Sequence, residues 1–178
     1  MEYYRMKMND VITNYINIER LDTTVYKQNC SPEEFEKLPK GIVTYYHDTR
    51  GLEIPDVLQR PLLLVKENVK DILQMYDEHI KGKPIKVFAY EQEIEVAPTY
   101  WLLNYEEVDC LSKDVIVYPN GELKEIILDK SKIQNRDVFR VKGTQENIIV
   151  VSLAVAESML RRQVYGVDFE RVRTEEER

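Results

Sequence analysis

Cysteine and histidine each occur only twice in the 178 residues, tryptophan once and glycine six times. Each scarcity closes off a class of chemistry. Cys30 and Cys110 lie far apart with no CxxC spacing, so they read as reduced structural thiols and not as a disulfide framework or a zinc site. His47 and His79 could hold a metal only if a turn and a helix end brought them together, which nothing in their spacing asks for. Asp48 beside His47, and Asp77 and Glu78 beside His79, read as solvent-facing charges. A nucleophile built from Cys110 and a histidine lacks any local signature, and Val108 and Leu111 around it describe a packed thiol. The glycines stand mostly singly at turns or helix ends. No GxGxxG, P-loop, HExxH or GxSxG pattern occurs, so no cofactor is implied.

Long apolar runs and an excess of positive charge are missing too. The longest runs, 61–65 and 148–151, fall far short of the ~20 residues that span a bilayer. Residues 1–10 alternate polar and apolar without a basic head, an apolar stretch or a cleavage site, so the sequence predicts a soluble, cytoplasmic protein with no membrane partner. Lys and Arg number 25 against 32 Asp and Glu, a net charge of −7. That balance argues against nucleic acid as a ligand and leaves room for a basic partner.

What is present suffices for a core. With 43% apolar and 32% charged residues the chain should fold without metal or disulfide staples. It reads as one compact unit: an α+β domain over 54–178, preceded by a strand-rich segment, 1–53, able to form a small subdomain. Glu2 to Met8 and Val11 to Ile18 are extended around the turn formers Asn9 and Asp10, a starting hairpin. Ser31-Pro32-Glu33-Glu34 starts a short helix that Pro39 and Gly41 close, and Ile42 to Tyr46 follows as a strand. The apolar run 62–65 leads into a helix over about 66–80, on the spacing of Val65, Val69, Ile72, Leu73, Tyr76 and Ile80, until Gly82 and Pro84 stop it. The run 148–151 leads likewise into a helix over about 153–165, begun by Ser152 and ended by Gly166. Between them, residues 85–96 alternate as one strand or a hairpin pair, 100–105 form another strand, and Asn120-Gly121 reads as a primed hairpin turn. Runs of strands among few helices predict α+β with a largely antiparallel sheet, two main helices and a short N-terminal helix.

The most distinctive charged feature is Glu91, Glu93 and Glu95, which strand spacing places on one face about 7 Å apart while Ile94 and Val96 face the other way. Three like charges so placed must be solvated, or must meet cations of this chain or of a partner. Glu106, Glu107 and Asp109 add a second acidic run, and tyrosine, enriched where proteins meet, is plentiful at twelve residues. These six acids are the candidate partner-binding residues; no catalytic and no metal residue is assigned. A catalytic carboxylate pair is the weaker reading, since it needs a deep pocket with raised carboxyl pKa values.

Taken in order, Pro55-Asp56-Val57-Leu58, the run 62–65 with its helix, Tyr100-Trp101-Leu102-Leu103-Asn104 and Val108-Asp109-Cys110-Leu111 resemble a bacterial family of immunity proteins found beside polymorphic toxins. Val138-Phe139-Arg140-Val141, the run 148–152 with its helix, and Gly166-Val167-Asp168-Phe169-Glu170 continue it. The resemblance covers roughly residues 54–172. The family pattern has Ser at the start of the first helix, where this chain has Lys66, and Ser152 keeps the second. The resemblance implies a non-catalytic, cofactor-free cytoplasmic protein that binds and neutralises one cognate toxin, and the acidic charge of this chain points to a toxin with a basic surface. The competing reading is a self-associating structural accessory of a phage or secretion locus. The sequence assigns no oligomeric state.

Overall fold

The computed structural model describes residues 1–27, 30–91 and 97–175. The chain runs through β1 (Tyr3–Met8), α1 (Pro32–Lys37), β2 (Ile42–Tyr46), β3 (Val57–Leu58), β4 (Leu64–Lys66) and α2 (Glu67–Tyr76). Then come β5 (Lys81–Ala89), β6 (Thr99–Asn104), β7 (Glu107–Val108), β8 (Ile116–Val117), β9 (Leu123–Glu125) and β10 (Ile127–Asp129). α3 (Lys130–Ile133), β11 (Val138–Val141), β12 (Ile149–Ser152), α4 (Leu153–Arg161) and β13 (Val167–Glu175) complete it. A six-stranded sheet has the order β10-β13-β1-β12-β11-β7, a five-stranded sheet the order β2-β5-β6-β4-β3, and β8 and β9 form a separate hairpin.

The class is α+β, but the sheets are mixed and not largely antiparallel. β10 with β13, β11 with β7 and β2 with β5 are parallel. Each parallel pair lies at a sheet edge and joins strands that are not connected by a hairpin, an arrangement invisible to local alternation. The starting hairpin does not form either. β1 lies between β12 and β13, antiparallel to both, and residues 11–18 contribute only an isolated bridge, Tyr15 with Glu53. Ile12, Ile16 and Ile18 are buried there. Ile16 and Ile18 join the core beneath the five-stranded sheet, so burial, not strand pairing, holds this segment extended.

Both main helices occur and both are shorter than the periodicity predicts. α2 ends where the Asp77 N–H meets the Leu73 carbonyl, and the Asp77 carboxylate accepts from the His79 N–H. Gly82 and Pro84 therefore fall inside β5 and do not stop the helix. A Cβ at Gly82 would come within 2.9 Å of Trp101 Cε3, which explains a glycine in mid-strand. Pro84 precedes the first β2 partner of β5, Ile85, so its missing N–H withholds nothing from β2. α4 gives way after Arg162, whose Nη1 returns to the Ser158 carbonyl, 3.2 Å.

The caps follow the sequence. Ser31 and Glu34 form a reciprocal capping box on α1. Ser152 Oγ accepts from the Val155 N–H at the start of α4 and donates to Asp137 Oδ1, 2.6 Å. Lys66 caps nothing with its side chain; its Nζ reaches the Ile54 carbonyl, 2.7 Å, and Asp56, 3.1 Å. The 118–121 turn forms with only Gly121 at positive φ, so it is a three-residue loop with the Gly121 N–H on the Tyr118 carbonyl, and not a primed two-residue turn.

α2 and α4 pack on each other, and their apolar faces share one core with Val57 and Val65 of the smaller sheet and Met6, Ile149 and Val151 of the larger. A second core lies on the opposite face of the five-stranded sheet, around Ile85, Val87, Tyr100 and Leu102. A third, around Phe139, Val150 and Tyr3, backs the six-stranded sheet.

Candidate functional site

Along β2, Thr44 and Tyr46 are buried while Val43 is exposed and Tyr45 half-buried. The register sets Val43 opposite Lys86 and Tyr45 opposite Phe88, so these four share one face with Tyr90 beyond. Further across the sheet, Val65 and Leu103 pack with Val69, Ile72 and Leu73 of α2. The helix ends its cover there, and the β2–β5 side of the face meets solvent: Val43 is 57% and Tyr90 37% exposed.

This uncovered face is ordered by its own contacts. Tyr45 and Tyr90 stack with ring centroids 5.1 Å apart, and the His47 ring lies 4.6 Å from Tyr90. The Arg20 guanidinium sits over both tyrosines, 5.7 Å from Tyr45 and 5.5 Å from Tyr90. Arg20 adopts φ +60°, the left-handed region that bulky L residues avoid, while the neighbouring Glu19 N–H is held by the Tyr45 carbonyl at 2.8 Å.

Glu91 ties down the end of the patch. Its carboxylate meets His47 Nδ1 at 2.5 Å and accepts from the Asp48 N–H at 3.0 Å, and Glu19 stands 3.9 Å from the other ring nitrogen. The hydrogen bond to Glu91 raises the His47 pKa above the ordinary 6.5, and the same bond, with that from Asp48, lowers Glu91 below the ordinary carboxylate value. The result is an imidazole ring between two carboxylates, set on a tyrosine shelf with an arginine laid across it. Tyrosine and arginine are the residue types enriched where proteins meet.

Of the six candidate acids, the described Glu91 and Glu106 lie far apart. Glu91 follows one end of β5, whereas Glu106 follows Asn104, which pairs with Lys81 at the other end, a strand length of roughly 30 Å away. Glu93 and Glu95 lie outside the described residues. Glu106, Glu107 and Asp109 stand together at the β7 edge. Arg136 holds Glu106 in a fork, 2.8 and 2.7 Å, which lowers the Glu106 pKa and raises that of Arg136. Glu107 pairs with Arg140, and Asp109 is exposed.

Nothing in the sequence assigns Arg20, Tyr45 or Tyr90 a role, and it offers His47 only as a weak metal ligand or as a weak partner for Cys110. The alternation of Val43 and Tyr45 against Phe88 and Tyr90 held the signal for the aromatics; finding it needed the β2–β5 register. Nothing local marks Arg20. Among the described residues no group of three or more His, Cys, Asp or Glu is placed to hold a metal, and no helix is long and apolar enough to cross a membrane. Burial pushes the Cys110 thiol up to about 11, the state of a packed and unreactive thiol.

A mixed α+β scaffold whose exposed aromatic and charged face is braced from within has the character of a binding protein. A profile of the Immunity protein family (Imm11) matches residues 4–174, nearly the whole chain, and the protein belongs to that family. The match takes in β1 from Tyr4 onward, a strand that the sequence resemblance left out. No curated protein matches the chain significantly.

Proposed function

We propose that this protein binds a cognate bacterial toxin in the cytoplasm by direct contact and neutralises it without catalysis. Membership of the immunity family supports a toxin partner in general, and the braced Arg20, Tyr45, His47, Tyr90 and Glu91 patch carries the choice of surface. Tyrosine and arginine are the side chains that dominate interface energies when they are fixed before binding, because little further side-chain entropy is lost. The net charge of −7 favours a toxin domain with a basic surface, which long-range attraction would bring in faster. Glu91 supplies the acidic side of the proposed contact, and Glu93 and Glu95 remain proposed contacts on the strength of the sequence alone. Glu106, Glu107 and Asp109 form a second acidic edge.

Co-expression with the toxin domain encoded by the adjoining gene tests this. Wild-type protein restores growth, and the Tyr90→Ala, Arg20→Glu double variant, folded by circular dichroism, does not. Full protection by that variant removes the patch; no protection by the wild type removes the function.

A second reading, self-association as a structural accessory, draws on the β8–β9 hairpin, where Ile116, Val117 and Tyr118 are each about half exposed. Sedimentation of the protein alone separates the two. Growth of oligomers with concentration favours the accessory reading, and a monomer that shifts only with toxin favours neutralisation.

A further inference from the structure

A cleft of about 850 Å³ opens beside the end of β1, and the backbone that faces it is an unfinished ladder. β1 pairs with β13 along its length, as far as Met8 with Val167, but with β12 only as far as Met6 with Ile149. Two bonds fix the alternation: the Leu153 N–H meets the Glu2 carbonyl, and the Asn9 N–H meets the Gly166 carbonyl. Even-numbered residues of β1 therefore turn their N–H and C=O toward β12, and odd-numbered ones toward β13. Met8 is even. It points these groups one rung past the last pair, where the register would bring Asn147, and both residues line the cleft.

A second observation points to the same ligand chemistry. Oδ1 and Nδ2 of Asn147, and Oε1 of Gln59 in the same wall, are buried with no hydrogen-bond partner. Groups left in that state destabilise the free protein. Both residues line the cleft and are only half-buried, and the last torsion of a carboxamide side chain is soft, so a ligand there needs only a rotamer change to meet these atoms. The charged lining is balanced, with Arg5, Lys7 and Arg60 against Asp10, Glu122 and Glu146. Arg5 already pairs with Glu146 at 2.5 Å and Lys7 with Asp10 at 3.0 Å. A phosphate or another anion meets no net positive field there, whereas a peptide main chain, neutral and alternately donor and acceptor, matches the lining.

We infer that the cleft receives an extended peptide segment of the toxin, which adds a short strand on Met8 and pairs with the carboxamide of Asn147. This rests on the neutralising function proposed above and supplies a binding mode separate from the aromatic patch. Amide exchange of the full chain, free and bound to the catalytically inactivated toxin domain of the adjoining gene, tests it. The Met8 N–H slows at least tenfold in the complex. Asn147→Leu, close in size but without either unpaired atom, weakens the complex at least tenfold while its Tm stays level or rises. Gln59→Leu provides the same test should Asn147→Leu fail to fold. Unchanged Met8 exchange together with wild-type affinity of the folded variants overturns the cleft and leaves the toxin function standing, since the patch variants still weaken the complex. No complex with the wild type overturns both.

Discussion

Gly166 lies directly against Pro55: a Cβ on Gly166 would sit 2.4 Å from the Pro55 Cβ and 3.1 Å from Ile12 Cδ1. Gly166 also has φ +79°, so both its conformation and its space exclude a side chain. Gly166→Ala should therefore lose about 2–4 kcal/mol, the left-handed backbone and the overpacking each contributing. Urea unfolding measures it. A loss under 1 kcal/mol would mean that Pro55 yields and the contact is not a constraint.

One residue further on, Asp56 fastens the start of α2 to the chain leaving α4. It is 9% exposed and accepts from the Tyr165 N–H at 2.8 Å and from Asn68 Nδ2 at 2.9 Å, with Lys66 Nζ at 3.1 Å. Asp56→Ala leaves these donors unpaired and should destabilise by about 2–4 kcal/mol. Asp56→Asn, which keeps one acceptor, should lose less. Equal stability of Asp56→Ala and wild type would contradict the assignment.

These contacts account for what was legible in the sequence. Pro55-Asp56 and Gly166 carried the family resemblance, and they meet in space because together they join the two strand–helix units. Ser31, Ser152 and Gly121 announced themselves because caps and turns are local. The β2–β5 and β11–β7 pairings did not, since parallel edges are settled by packing between distant segments. The same distance hid the patch: Arg20, Tyr45 and Tyr90 come from three segments, and only the fold stacks them. The acidic alternation at Glu91 was visible, while its partner His47, 44 residues earlier, was not.

The His47–Glu91 pair has a defined pH window. Because the folded pKa of His47 is raised, its contribution is complete below the ordinary imidazole value of 6.5 and is lost as pH rises through the raised value. Because that of Glu91 is lowered, its contribution is present above the ordinary carboxylate value of 4.5 and is lost as pH falls through the lowered value. The pair is intact between these limits and loosens on either side. NMR titration of the His47 ring should give a midpoint above 6.5 that moves back toward it in Glu91→Gln. A midpoint that Glu91→Gln leaves unmoved would show that the carboxylate is not the cause.

Arg20 separates binding from stability. Arg20→Gly relieves the left-handed strain of φ +60° but gives the unfolded chain more freedom, and these effects, each about 1 kcal/mol, offset. Its Tm should then stay within about 4 °C of wild type. Toxin affinity should fall about 10- to 100-fold, because the guanidinium fixed over Tyr45 and Tyr90 is gone. Arg20→Lys keeps the charge but loses the planar fork and its stacking, so it should fall between the two. Calorimetric titration with the inactivated toxin domain decides the matter: wild-type affinity in a folded Arg20→Gly protein would make the strained arginine a feature of the scaffold, and the contact would have to lie elsewhere on the molecule.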